Sequence, residues 1–227
     1  MISGMQNGPL RLADLPEATG RGVRVAVIDS GVNPVHPHVK GVAGGMGYGP
    51  DGRMSADYLD FLGHGTAVTA VIREKAPMAQ VYAVKVFQKK LEATVEALVG
   101  AIHWSVARGM DMINLSLGTS NPAHERALAE AVKEAQASGV VIIAAAPEPD
   151  ARWLPGALPG VVAVSLDWSI PREECRFEVE ADGDLHAWAT GYPRPLPDVS
   201  PEDNLKGLSF AVANVTGMLA RKASTER

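Results

Sequence analysis

The chain has 227 residues, 46% hydrophobic and 21% charged, which suits one globular domain with a sizeable core and excludes a low-complexity or disordered chain. Its formal net charge is −5 with no long basic run, which argues against nucleic acid as a partner. A single cysteine, Cys175, excludes an internal disulfide, and no stretch has the length of a membrane span.

Residues 1–18 read as an N-terminal extension of one domain spanning 1–227. The first 17 residues lack the basic start, apolar run and small-residue cleavage site of a secretory signal, so a cytoplasmic protein is expected. Val23-Arg24-Val25-Ala26-Val27-Ile28 is a β-branched run between glycines and predicts a buried strand ending at Asp29-Ser30-Gly31. An aspartate at the carboxyl end of an α/β strand lies where such folds place their sites, although aspartate also caps loops there. Residues 33–60 are rich in Gly, Pro and His. Gly44-Gly45-Met46-Gly47-Tyr48-Gly49 has neither phosphate-loop spacing and reads as a flexible surface loop. His36 and His38 lack a third ligand at a recognisable spacing and read as surface histidines, so no metal is expected.

In Gly63-His64-Gly65-Thr66, glycines flank a histidine at the start of a small-residue helix that must end before Pro77. Val81 to Phe87 predicts a strand, and residues 91–108 carry helical spacing with Val95, Leu98, Val99, Ile102 and Val106 on one side. Further strands are expected over 112–118, 140–146 and 161–166, with an amphipathic helix over 122–138 stopped by Gly139. Residues 172–204 mix short strands with proline-rich loop. Strands alternating with helices predict an α/β, three-layer sandwich with a mostly parallel central sheet.

The last segment, Gly207-Leu208-Ser209-Phe210-Ala211, places a serine between a glycine turn and a run of small and apolar residues. A serine starting a helix presents its hydroxyl where unpaired N–H groups and the dipole favour negative charge. That suits a nucleophile whose attack creates an oxyanion, and equally a plain N-cap. Asp29, His64 and Ser209 then occur in the order Asp…His…Ser, one of the chain orders known for serine hydrolase triads. The stretches around them, together with Tyr82-Ala83-Val84-Lys85-Val86, Ile102-His103-Trp104, Asp111 to Gly118 and Ser138-Gly139-Val140-Val141, resemble the subtilisin-like serine proteases from about residue 19 to 220.

The resemblance implies that Ser209 attacks a peptide carbonyl, His64 is the base and Asp29 holds the imidazole. It implies an oxyanion region at the Ser209 N–H and at the position of Glu148. It also implies substrate binding along Leu91 and Ser116-Leu117-Gly118, with Ala144 to Ala146 walling the first specificity pocket. No cofactor is implied; the partner is a peptide or protein substrate, with no nucleic acid and no membrane.

Several positions depart from the family. Glu148 stands where an oxyanion asparagine is usual, and an ionised carboxylate only accepts hydrogen bonds; its protonated form alone donates one. Leu208 replaces a threonine, Asn214 and Ala67 stand where histidines are common, and residues 72–79 are too short for the calcium loop of many relatives. The chain ends soon after the Ser209 helix and has no room for a folding propeptide before Thr19, so a protein partner or homo-oligomer is expected to supply surface. The expected function is a serine endopeptidase processing a precursor peptide. The alternatives are an impaired, peptide-binding pseudoprotease or a macrocyclising transpeptidase.

Overall fold

A computed structural model describes residues 5–49, 51–148 and 151–226. In chain order its elements are β1 (Gly8–Arg11), β2 (Arg24–Asp29), β3 (Gly44–Tyr48), β4 (Met54–Ser55), α1 (His64–Lys75), β5 (Gln80–Lys85) and α2 (Val95–Ala107). There follow β6 (Met112–Leu115), α3 (Glu125–Ala137), β7 (Val141–Ala145), β8 (Val162–Leu166), β9 (Glu174–Val179), β10 (Leu185–Ala189) and α4 (Leu208–Ala223).

The strands form one sheet in the order β1-β9-β10-β8-β7-β6-β2-β5-β3-β4. From β10 to β3 every pairing is parallel; only the outer pairs β1–β9, β9–β10 and β3–β4 are antiparallel. The first long strand, β2, sits between β5 and β6, because the chain crosses it after β5 and builds outward on the other side. Ligand sites of open α/β sheets form beyond the carboxyl ends of strands at such a reversal.

Alternation along β2 decides which helices it meets. Val25 and Val27 pack in one core with α1 and α4, including Val68, Ile72, Phe210 and Val215. Ala26 and Ile28 face the other way, into a core with Leu98 and Ile102 of α2 and Leu128 and Val132 of α3. The result is the expected three layers, helices α1 and α4 on one face and α2 and α3 on the other. Asp29 shares the parity of Val25 and Val27, so it emerges toward α1 and α4.

Two expectations fail. Gly44 to Tyr48 is not a loop but strand β3, parallel to β5. Its glycines are spacers: a Cβ on Gly45 would lie 2.5 Å from the Ala83 carbonyl oxygen, and one on Gly47 2.2 Å from that of Asp57. Nor is the N-terminus simply an extension, since Gly8 to Arg11 closes the far edge of the sheet against β9. The predicted helix over 91–108 begins only at Val95, where Thr94 Oγ1 accepts the Ala97 N–H at 3.2 Å. Among the described residues no helix is long and apolar enough to cross a membrane.

Candidate active site

Two helices open toward the carboxyl ends of β2 and β6, each after a glycine in a conformation that side chains disfavour. Gly63, at φ 83°, precedes α1, and Gly207, at φ 142°, precedes α4. These starts put His64 first in α1 and Ser209 second in α4. Buried polar bonds hold α4 in place. Asn214 donates to the carbonyls of Thr190 at 3.1 Å and Tyr192 at 3.2 Å, tying the helix to the end of β10. Thr216 Oγ1 donates to Asn114 Oδ1 at 3.0 Å, tying it to β6.

Asp29 is fully buried, and His64 Nδ1 lies 2.8 Å from its Oδ1. The same oxygen accepts the Ser30 N–H at 2.7 Å, while Oδ2 is buried with no hydrogen-bond partner. With Nδ1–H donated to the carboxylate, the neutral imidazole leaves Nε2 as an acceptor. Burial pushes His64 down, but the Asp29 hydrogen bond, the Asp29 charge and the more distant Asp60 outweigh it and raise the imidazole above 6.5.

Asp60 organises the turn before α1. Its Oδ1 accepts from Ser30 Oγ and the N–H groups of Leu62 and Gly63, each at 2.9 Å. Its Oδ2 accepts the Thr66 N–H at 2.9 Å and the Thr66 hydroxyl at 2.6 Å. Four of its five donors come from the adjoining residues 62–66, and only Ser30 is brought to it from a distant turn.

Ser209 sits beside this pair. The ring of its neighbour Phe210 lies 5.8 Å from the His64 ring, centroid to centroid. The Ser209 hydroxyl donates to the Ser116 carbonyl at 3.4 Å, a long and weak bond, and among the described residues none joins it to His64. Ser116 Oγ in turn donates to the Ser209 carbonyl at 3.4 Å and accepts from Asn114 Nδ2 at 2.9 Å.

A cavity of about 230 Å³ opens next to the hydroxyl, walled by Ser116, Leu117, Gly118, Ala145, Glu148 and Trp153, with Leu208, Ser209 and Val212 of α4. Of the residues singled out in the sequence, Ser116, Leu117, Gly118, Ala145 and Glu148 meet here. Ala146 does not: it is buried, and its N–H donates to the Val164 carbonyl at 2.8 Å. Leu91 is 54% exposed in the segment before α2 and lines none of this cavity. Trp153 was not foreseeable; it reaches the pocket because Thr119 and Leu154 pair as a two-residue bridge. Glu148 is held by backbone bonds to Ala151 at 2.9 and 3.1 Å, while the adjoining Pro149 lies outside the described residues. The Glu148 side chain is exposed, and among the described residues it forms no ion pair or side-chain hydrogen bond. No group of three or more His, Cys, Asp or Glu suited to a metal occurs among the described residues.

Comparison with known proteins places the chain as a whole. The model of the subtilase family, peptidase S8, matches residues 20–165. Subtilisin NAT of Bacillus subtilis subsp. natto is 31% identical over 215 residues, covering 88% of this chain and 53% of its own. The subtilisin of Bacillus pumilus is 30% identical over 215 residues, covering 88% of this chain and 73% of its own. The chain thus spans about half the length of subtilisin NAT, and only 20% of the minor extracellular protease Epr of Bacillus subtilis. Among solved structures, one titled S41 psychrophilic protease superposes with a TM-score of 0.72 at 24% identity, over 99% of this chain and 86% of that one. A lanthipeptide protease superposes at 0.70 with 21% identity, over 92% and 75%. Sheet order, the two glycine-started helices and the family match over more than half the sequence lead to one conclusion: the chain belongs to the subtilase family.

Proposed function

We propose that this protein is a serine endopeptidase in which Ser209 is the nucleophile, His64 the general base and acid, and Asp29 the group that orients the imidazole. The observation that carries the reading is the 2.8 Å bond from His64 Nδ1 to buried Asp29, in front of a serine at a helix N-terminus. A rotation about Ser209 χ1 frees the hydroxyl from its weak contact with Ser116 and turns it toward Nε2. Apo sites commonly tighten this bond only when substrate binds.

Ser209 Oγ then attacks the carbonyl carbon of an extended peptide while its proton passes to Nε2. The oxyanion develops against the N–H groups of the first turn of α4. Collapse of the tetrahedral intermediate breaks the C–N bond, and His64 returns the proton to the departing amine. Water, deprotonated by the same imidazole, releases the acyl group from Ser209. The acyl-side side chain enters the cavity between Leu117, Ala145 and Trp153. We further read the substrate as a precursor peptide and the setting as cytoplasmic; the lanthipeptide protease among similar folds supports the choice of substrate.

A fluorophosphonate probe tests the core of this. Labelling of the parent protein that disappears in Ser209→Ala and falls in His64→Ala is expected; a parent protein that stays unlabelled overturns it. Glu148 favours one second reading, a binding module that holds peptides without turnover, because it lines the same cavity as Ser209 and an ionised carboxylate there donates no hydrogen bond to an oxyanion. Peptide binding by the parent with neither labelling nor cleavage would select that reading.

A further inference from the structure

A second cavity, of about 430 Å³, lies at the start of α1 and shares no lining residue with the Ser209 pocket. Phe61, Leu62 and Gly63 line it just before His64, and Thr66 just after; Arg194 and Leu205 belong to the loop that leads into Ser209. His64 must hand its proton to the departing amine, and this cavity borders the turn that presents His64.

The chemistry of this cavity is cationic. Arg194 is half-buried in its wall, and among the described residues no carboxylate pairs with it and no acceptor takes its guanidinium N–H groups. His36 and His38 line the same cavity with ring centroids 5.3 Å apart. His36 Nδ1 accepts the His38 backbone N–H at 3.2 Å, which fixes the tautomer and leaves Nε2–H as a donor. His38 feels its neighbours: burial first, then the charge of Arg194 and of His36, with a smaller part from Lys40, hold it below its ordinary value, opposed by Glu74. The acidic groups nearby are already engaged. Asp60 takes its five donors from Ser30, Leu62, Gly63 and Thr66, and Glu74 is bound by Arg172 and Lys75. Around the cations, Phe61, Leu62, Leu196 and Leu205 are exposed apolar rims. A half-buried guanidinium with no counter-ion is costly unless a ligand supplies one.

We propose that this cavity is a carboxylate-binding subsite for the departing half of the substrate, with Arg194 as its anchor and His36 and His38 as supporting donors. It depends on the reading of Ser209 and His64 only for which half of the peptide lies there. The carboxylate belongs either to an acidic side chain shortly after the scissile bond or to the peptide's free C-terminus. An apolar neighbour on the peptide rests on Phe61 and Leu205.

Binding to Ser209→Ala, measured by fluorescence anisotropy, tests the subsite without any need for turnover. The probes are short peptides of one sequence carrying Glu or Gln at the second or third position after the intended cleavage bond, each with a free or amidated C-terminus. The Glu peptides are expected to bind at least about tenfold tighter than their Gln forms, the size of one charge-assisted hydrogen bond. A preference that follows the free C-terminus instead assigns the site to the terminal carboxylate. In Arg194→Gln the ratio should fall to about one, and Arg194→Lys should retain part of it, as a point charge does. Equal binding of all eight peptides, or a preference undiminished in a folded Arg194→Gln, overturns the proposal. Loss of fluorophosphonate labelling in the parent touches only the reading of Ser209 and leaves this measurement valid.

Discussion

Among the described residues the molecule holds two serine–histidine–carboxylate sets, and they differ in instructive ways. At the sheet's far side, Ser165 Oγ lies 2.9 Å from His186 Nε2, and His186 Nδ1 lies 3.5 Å from Glu180 Oε1. Judged by the serine–histidine bond alone, this set is better formed than the Asp29, His64 and Ser209 group, whose serine leans on Ser116. Its surroundings differ, however. Ser165 stands inside strand β8, opposite Trp188 of β10 in the parallel ladder, where backbone N–H groups serve the sheet. Its acid, Glu180, is half exposed, so its pull on the imidazole is screened, whereas Asp29 is fully buried. His186 stacks flat on Trp188, with ring centroids 4.1 Å apart. Ser209 has what Ser165 lacks, a helix N-terminus that can meet an oxyanion and a buried acid; a cavity of about 470 Å³ is lined by His186 and Glu180 of the second set but not by Ser165, whereas Ser209 itself lines its own. Three side chains in a row do not make a nucleophile; the backbone around the serine does.

The largest effect that this contrast implies is at the two serines. Ser209→Ala should lower peptidase activity by about 10⁴-fold or more and abolish fluorophosphonate labelling, the scale seen when triad nucleophiles are removed. Ser165→Ala should change both less than about twofold, within the spread of a partly exposed substitution. Labelling that persists in Ser209→Ala and vanishes in Ser165→Ala would invert the comparison.

Next in size is the buried acid. Asp29→Asn should cost about 10³–10⁴-fold in kcat by releasing the imidazole tautomer. It should also move the pH profile. In the parent, the base must be neutral, so kcat/KM rises as pH climbs through the raised His64 value, above 6.5. Removing Asp29 removes the main raising influences and shifts that midpoint to lower pH. The linked effect on stability has the opposite sense: a raised folded value means the imidazolium stabilises the fold at low pH, a contribution lost as pH rises through it. An unchanged midpoint in Asp29→Asn would deny the coupling.

Glu148→Asn should then raise the neutral-pH rate by about 10–10²-fold, since a single oxyanion donor is worth about 10²–10³-fold in related enzymes. No change, or a fall, would show that the loop turns Glu148 away from the developing charge. Smallest is the anchoring of the helix. Asn214→Ala should lower stability by about 1–3 kcal/mol, the cost of leaving the Thr190 and Tyr192 carbonyls unpaired in the interior. Thermal melts measure it, and a fluorophosphonate labelling rate that falls further than the melt explains would show that α4 has shifted.

Sequence order alone determined a good deal here. β-branched runs such as Val23 to Ile28 and the spacing of Val95, Leu98 and Ile102 report burial directly, because strand and helix periods are local properties of the chain. For the same reason Asp29, His64 and Ser209 were legible, each sitting at an element boundary marked by glycine. Gly44 to Tyr48 misled because a glycine-rich run says nothing of the Tyr58 ring and Asp57 carbonyl that crowd it into a strand. Tertiary structure alone decided that Ser30 would reach Asp60, that Trp153 would wall the pocket, that Leu91 and Ala146 would stay out of it, and that Arg194 would share a cavity with His36 and His38. Those arrangements join residues far apart in the chain, and no local period or propensity encodes a meeting that depends on how separate loops close over one sheet edge.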